Sequence, residues 1–137
     1  MEIPPAAQEV LDSDALAHLF TLDPDGSGQV SCVWVGVEDG EIAFASLGPR
    51  RKLDNIARDP RVVLSMEAPG LNAMGLRNYL VVHGRARITE GGGPELLQRL
   101  ARVYLGPGVR FPPMPDPPPG VVVRIAPERF SGVGPWA

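Results

Sequence analysis

The sequence predicts a mainly β fold, in which about six mostly antiparallel strands form a closed or nearly closed small barrel with a few short helices between them. Three observations predict it. Short apolar runs recur along the chain, and period-two alternation is clearest from Tyr79 to Thr89. Turn clusters separate these runs, Asp23-Pro-Asp-Gly-Ser-Gly and Glu38-Asp-Gly among them. The chain has 137 residues, 44% hydrophobic and 21% charged, which suits one packed domain spanning residues 1–137.

The elements follow in order. Ala7 to Phe20 reads as a first helix, because Leu11, Ala15 and Leu19 recur at helical spacing and Pro4-Pro5 stand outside it. Asp25-Gly26 then signals a hairpin. Gln29 to Val37 reads as a strand apolar on both faces and hence buried on both sides, with Cys32 a small buried hydrophobe within it. Glu41 to Ser46 is the next strand. Pro49 to Arg58 is a short helix with Leu53, Ile56 and Ala57 as its apolar stripe, ended by Asp59-Pro60. Strands follow at Arg61 to Met66 and Tyr79 to Thr89. Pro94 to Leu105 is a helix burying Leu97, Leu100, Ala101 and Tyr104, with Gly106 at its C′ position. Pro107 to Pro119 is too proline-dense for helix or inner strand, and Gly120 to Ile125 is a last strand.

Composition narrows the function. The net charge of −3 provides no global positive field, which argues against a nucleic-acid binder. A single cysteine allows no intramolecular disulfide and no zinc site. No signal peptide and no membrane span of roughly 20 apolar residues is read, so a cytoplasmic location is expected. Asp23, Asp25 and Ser27 imitate the start of a calcium loop, but Trp34 stands where the bidentate glutamate belongs, so the stretch reads as a turn and no metal site is expected. Gly91-Gly-Gly lacks the Lys-Ser/Thr ending of a phosphate loop. His18 and His83 have no evident metal partners. Arg85 and Arg87 share a strand face, either as an ion-paired surface or as a patch facing an anion.

The strongest chemical signal lies in Ala45 to Val62. A strand runs into a short loop, and the loop opens a helix bearing Arg50, Arg51 and Lys52, the last being the only lysine among thirteen basic residues. Free N–H groups at a helix start favour an anion, whereas cations there oppose the helix dipole. A bound phosphate would reconcile the two. The alternative is an exposed basic helix paired with Asp54 or Asp59.

This segment resembles the flavin- and deazaflavin-binding superfamily typified by pyridoxamine 5'-phosphate oxidase, and within it the actinobacterial branch that uses coenzyme F-420. Four stretches carry the resemblance: Thr21–Ser27 with Gln29–Trp34; Arg50, Lys52 and Asn55 continuing into Arg58–Val62; Tyr79–Ile88 with Gly84-Arg-Ala; and Gly134-Pro-Trp136. It implies a homodimer of six-stranded antiparallel split β-barrels with two cofactor sites at the dimer interface. It implies that Ser31, Cys32, Val33, Ala45 and Ser46 line the deazaflavin ring. Arg50, Arg51, Lys52 and Asn55 would hold the phosphate and nearby tail, and Arg77 and Asn78 of the other subunit would close over the ring. The implied activity is hydride transfer from reduced F-420 to a small organic substrate, with the proton from solvent or from His83. FMN is the alternative cofactor, and a split barrel that carries a cofactor or heme without turnover is the alternative role. Departures from the family pattern are Gly28 after Asp-Gly-Ser, Ser46 in place of threonine, and Asp54 before the helix asparagine, which removes a positive charge near the site.

Overall fold

The computed structural model describes residues 1–137. Its elements are α1 (Pro5–Leu11), β1 (Ala17–Leu22), β2 (Gly28–Val33), β3 (Gly36–Glu38), β4 (Glu41–Ser46), α2 (Arg51–Arg58), β5 (Arg61–Leu71), β6 (Arg77–Glu90), α3 (Gly93–Tyr104) and β7 (Val121–Val133). All seven strands form one sheet in the order β2-β1-β5-β6-β7-β4-β3, and every neighbouring pair is antiparallel.

That order has a geometric consequence. The two edge strands, β2 and β3, are consecutive in the chain and separated only by Trp34 and Val35. Three residue steps span about 10 Å at most. The sheet must therefore curl until its edges nearly meet, and the chain itself, not a hydrogen-bond ladder, joins them. The expected strand Gln29–Val37 is this interrupted stretch, whose first part pairs with β1 and whose second pairs with β4. Counted as one broken strand, it leaves six strands around an incompletely closed barrel.

The barrel interior is filled by Leu19, Ile42, Phe44, Leu64, Met66, Leu80 and Ile125, all fully buried. Ala7, Val10 and Leu11 of α1 and Ile56 of α2 join the same core. A smaller cluster, Ala43, Leu96, Leu100 and Val122, packs α3 on the outside of β4 and β7. Both faces of β4 are thus covered, and small Ala43 is what lets α3 approach.

Several sequence expectations are corrected. The first helix stops at Leu11, and residues 17–22 form β1. Ser13 Oγ donates to the Val10 carbonyl at 2.6 Å and accepts from the Ala15 N–H at 3.3 Å, so local side-chain bonding ends the helix. The spacing that suggested a helix, Leu11-Ala15-Leu19, is four residues, and four is also a multiple of the strand period. β2 is not buried on both faces: Val30 is 51% and its neighbour Phe20 41% exposed, and Cys32 is exposed as well. β5, β6 and β7 also run beyond their expected ends, to Leu71, from Arg77 and to Val133.

Two glycines permit close packing. β7 carries a bulge opposite His83 and Gly84. A Cβ on Gly84 would lie 2.5 Å from the Ala126 carbonyl oxygen, so only glycine fits beside the bulge. Gly134, at φ +153°, lets the chain fold back so that Trp136 packs where a Cβ would collide with its ring. The indole then donates to the Tyr79 carbonyl at 3.2 Å.

Arg85 and Arg87 resolve as an ion-paired surface, Arg85 with Glu128 at 3.4 Å and Arg87 with Glu41 through two bonds at 2.5 and 2.8 Å. The Asp23–Ser27 stretch is a turn in which Ser27 Oγ donates to Asp25 at 2.6 Å. No helix is long and apolar enough to cross a membrane.

Candidate cofactor site

The site begins where β4 hands over to α2. Ser46 Oγ donates to the Gly48 carbonyl at 2.8 Å and shapes the turn Leu47-Gly48-Pro49. Arg50 occupies the N-cap position with extended backbone, and no side chain caps the helix. The N–H groups of Arg51 and Lys52 therefore lack acceptors, whereas that of Leu53 already donates to the Arg50 carbonyl at 3.0 Å.

α2 is held to β1 by Asn55, only 1% exposed. Its amide nitrogen donates to Thr21 Oγ1 and to Asp23 Oδ1, both at 3.0 Å. Its carbonyl oxygen accepts from the Arg58 guanidinium at 3.0 Å, and Arg58 also donates to the Leu22 carbonyl. Thr21 Oγ1 in turn donates to Gln29 Oε1 at 3.0 Å. Two of the four stretches behind the resemblance are thus in direct contact. The Asn55 side chain faces the protein and spends its hydrogen-bonding capacity there.

Asp23 also neutralises Arg51, whose Nε lies 3.2 Å from Oδ1. The pairings expected of an idle basic helix, with Asp54 or Asp59, do not form: Asp59 binds Arg61, which holds its carboxyl down at about 2. Asp54 is exposed and in no ion pair. Arg50 and Lys52 likewise enter none of the six ion pairs. Arg50 donates only to the adjacent Pro49 carbonyl, at 2.8 Å. Burial first, and then the like charge of Arg50, push the Lys52 ammonium below its ordinary pKa. An unpaired, half-buried ammonium beside a guanidinium is an arrangement that an anion would stabilise.

Both cations open into one cavity of about 340 Å³. Its other walls are Cys32, Val33 and Trp34 from the β2–β3 stretch, Ala45, Ser46 and Leu47 from the end of β4, Leu97 of α3, and Phe111. Six of the residues implied by the resemblance, Cys32, Val33, Ala45, Ser46, Arg50 and Lys52, therefore meet in one place. Trp34, Leu47, Leu97 and Phe111 were not anticipated as site residues. Phe111 left one sequence signal, as the sole aromatic residue in the proline-dense stretch 107–119.

The remaining residues lie elsewhere. Arg77 and Asn78 sit at the start of β6, outside the cavity wall. Ser31 Oγ and Asn78 Oδ1 are the two buried side-chain polar atoms without a hydrogen-bond partner, and such atoms ordinarily find one. His83 lines a separate concavity with Phe20, Arg61 and Glu128. Burial, and Arg129 whose guanidinium nitrogen is 2.8 Å from its Nε2, favour the neutral imidazole. A larger concavity between α3 and the proline segment carries Arg99, Arg102 and Arg110. Its lining also includes the Glu95 carboxylate, whereas no carboxylate lines the Lys52 cavity.

A phosphate-bearing ring system fits this donor set. The two unpaired cations and the helix N-terminus suit the phosphate, and the apolar walls suit a ring.

Comparison with known proteins identifies the family. The chain is similar to a solved structure described as an F420 reductase, at 25% identity over 94% of this chain and 98% of that one, with a TM-score of 0.73. It is similar to a conserved hypothetical protein of Mycobacterium tuberculosis at 26% identity, covering 95% of this chain and 84% of the other, with a TM-score of 0.70. A structure from Listeria innocua, described as a putative pyridoxamine 5'-phosphate oxidase, shares the fold at 19% identity, 91% and 93% coverage and a TM-score of 0.63. No curated protein matches significantly. Residues 3–134 match the family model described as pyridoxamine 5'-phosphate oxidase, so the chain belongs to the pyridoxamine 5'-phosphate oxidase-like superfamily of split barrels.

Proposed function

We propose that this protein is an oxidoreductase that binds reduced coenzyme F-420 and passes a hydride to a small organic substrate. The observation that carries the reading is the pair of unpaired cations, Arg50 and Lys52, at the open start of α2 on the rim of an apolar, aromatic cavity. The likeness at 25% identity to a structure described as an F420 reductase favours F-420 over FMN. When bound, the cofactor supplies the hydride. The chain's own contribution is to place it: Arg50 and Lys52 hold the phosphate, and Cys32, Val33, Ala45 and Ser46 flank the ring with small side chains and backbone. Arg51 supports the site indirectly through Asp23, and Asn55 fixes the helix that carries Lys52. No histidine or carboxylate of this chain lines the cavity, so we assign the proton to solvent and not to His83.

The proposed assembly is a homodimer. Leu16, Phe20 and Val30 on the outside of the sheet, and Leu71, Met74 and Leu76 on the β5–β6 hairpin, are exposed apolar side chains that a second copy would cover. Arg77 and Asn78, which do not reach the cavity of their own chain, would then serve the partner's site.

Titration of the purified apo-protein with F-420 and with FMN separately tests the reading. Saturable binding of F-420, substrate-dependent oxidation of the reduced form, and a particle of twice the 14.6 kDa chain mass are expected. Saturation by FMN alone would transfer the reading to an FMN-dependent enzyme. Tight binding without turnover would make the protein a carrier.

The pH dependence is set by Lys52. In the free protein its pKa is lowered, and a phosphate beside it raises the pKa again. The bound state therefore takes up the proton more tightly. The ammonium's contribution to affinity is full below the free-state pKa and is lost as pH rises through the bound-state pKa. Cofactor affinity measured from pH 7 to pH 11 is expected to fall on the alkaline side in the wild type and to stay flatter in Lys52→Ala.

A further inference from the structure

We infer that the proline-dense segment between α3 and β7 is a substrate-selecting wall, in which Phe111, seated by Gln98 against Trp34, restricts the cavity to flat, apolar rings. The inference rests on the reading of the Lys52 cavity as the cofactor site and concerns the aromatic part of that cavity's wall. Gln98 on α3 holds the segment at two points two residues apart. Its amide nitrogen donates to the Val109 carbonyl at 2.9 Å, and its carbonyl oxygen accepts from the Phe111 N–H at 3.0 Å. A segment with few backbone donors of its own is thereby fixed at the residue that carries its one aromatic ring.

The ring is placed with purpose. Its centroid lies 5.1 Å from that of Trp34, tilted by 58°, and Trp34 stacks on Tyr104 at 5.4 Å and 10°. Tyr104 is itself anchored: its hydroxyl donates to the Ala15 carbonyl at 3.0 Å and accepts from the Val35 N–H at 3.2 Å. The chain Gln98–Phe111–Trp34–Tyr104 therefore ties three distant segments into one rigid aromatic wall. Phe111, Trp34, Leu97 and Val33 present no charged group to the cavity. Recognition on this side rests on apolar area and ring stacking, which favour a planar conjugated molecule over an aliphatic one of equal size. In these terms Phe111 is a specificity-determining residue and Gln98 a positioning residue.

The test has two arms. In the first, without cofactor, the binding of 2,3-dimethyl-1,4-naphthoquinone, which has no free position for thiol addition, and separately of its ring-saturated analogue of equal carbon count is measured by calorimetry with the wild type, Phe111→Ala, Phe111→Leu and Gln98→Ala. Saturable binding of the quinone alone is expected, weakened about tenfold in Phe111→Ala and less in Gln98→Ala. Phe111→Leu keeps apolar bulk and guards against a folding failure; it is expected to lose the preference for the flat ring while remaining folded. In the second arm, F-420 and FMN are titrated into the same proteins, and each Phe111 variant is expected to lose less affinity for the cofactor than for the quinone. Equal binding of both compounds, or quinone binding indifferent to residue 111, would overturn the inference whatever the cofactor result. Failure of the wild type to bind either cofactor would overturn the cofactor reading, and with it the role of the wall as a substrate selector.

Discussion

Replacing Lys52 with alanine is expected to weaken cofactor binding at least tenfold, or about 1.4 kcal/mol, while leaving the melting temperature within a degree or two of the wild type. The ammonium is half-buried and has no partner within the chain, so the fold gains nothing from it. Its removal relieves both its burial and its repulsion with Arg50. A phosphate at the start of α2, in contrast, would lose a charge-assisted hydrogen bond in surroundings less polar than water. Arg50 is more exposed, and Arg50→Ala is expected to cost less. Titration with cofactor and a thermal melt on the same preparation check both statements. An affinity equal to the wild type would remove Lys52 from the site.

Asn55→Ala is expected to act the other way, on stability. It removes a buried side chain that makes three hydrogen bonds to Thr21, Asp23 and Arg58. The loss leaves a small void, a buried Thr21 hydroxyl short of a donor and a partly exposed Asp23 carboxylate that keeps Arg51, a cost of about 2–3 kcal/mol. For a domain of this size that is a drop of roughly 10 °C in Tm, readable by calorimetry. Because the same contacts fix α2 against β1, cofactor affinity is expected to fall as well, but only together with stability. The pair of variants thus separates holding the ligand from holding the helix. A melting temperature unchanged in Asn55→Ala would show that α2 stands without its brace.

These two residues also mark how far local pattern reaches. Arg50, Lys52 and Asn55 fall within one short helix whose start and stop signals were readable, and the concentration of cations at its start was a local fact. Which of them faces the cavity was not local. Asn55 turns inward because Thr21 arrives from β1 and Asp23 from the turn after it, and Arg51 is neutralised by the same Asp23. Those partners lie about thirty residues away in sequence, so no spacing rule within the helix could assign them.

The strand after α1 shows the same limit in the backbone. Leu11, Ala15 and Leu19 satisfy a helix and a strand equally, and pairing with β2 and β5 decided between them. The exposure of Cys32 and Val30 has a related cause: an edge strand of an incompletely closed barrel covers one face only, and its sequence carries no record of being at the edge.

By itself, then, the sequence determined the elements whose signals are short-range: α2 and α3 with their boundaries, the turns, most strand positions, and the cationic helix start. Tertiary structure alone decided the rest. It broke one strand at Trp34-Val35 to bring the sheet's edges together, turned Asn55 away from the site, and carried Phe111 into the cavity on a segment with no periodicity. The physical reason is common to all three. Helix caps, turn residues and charge density act over a few residues, whereas the face a side chain presents depends on partners that the chain supplies only after it has folded.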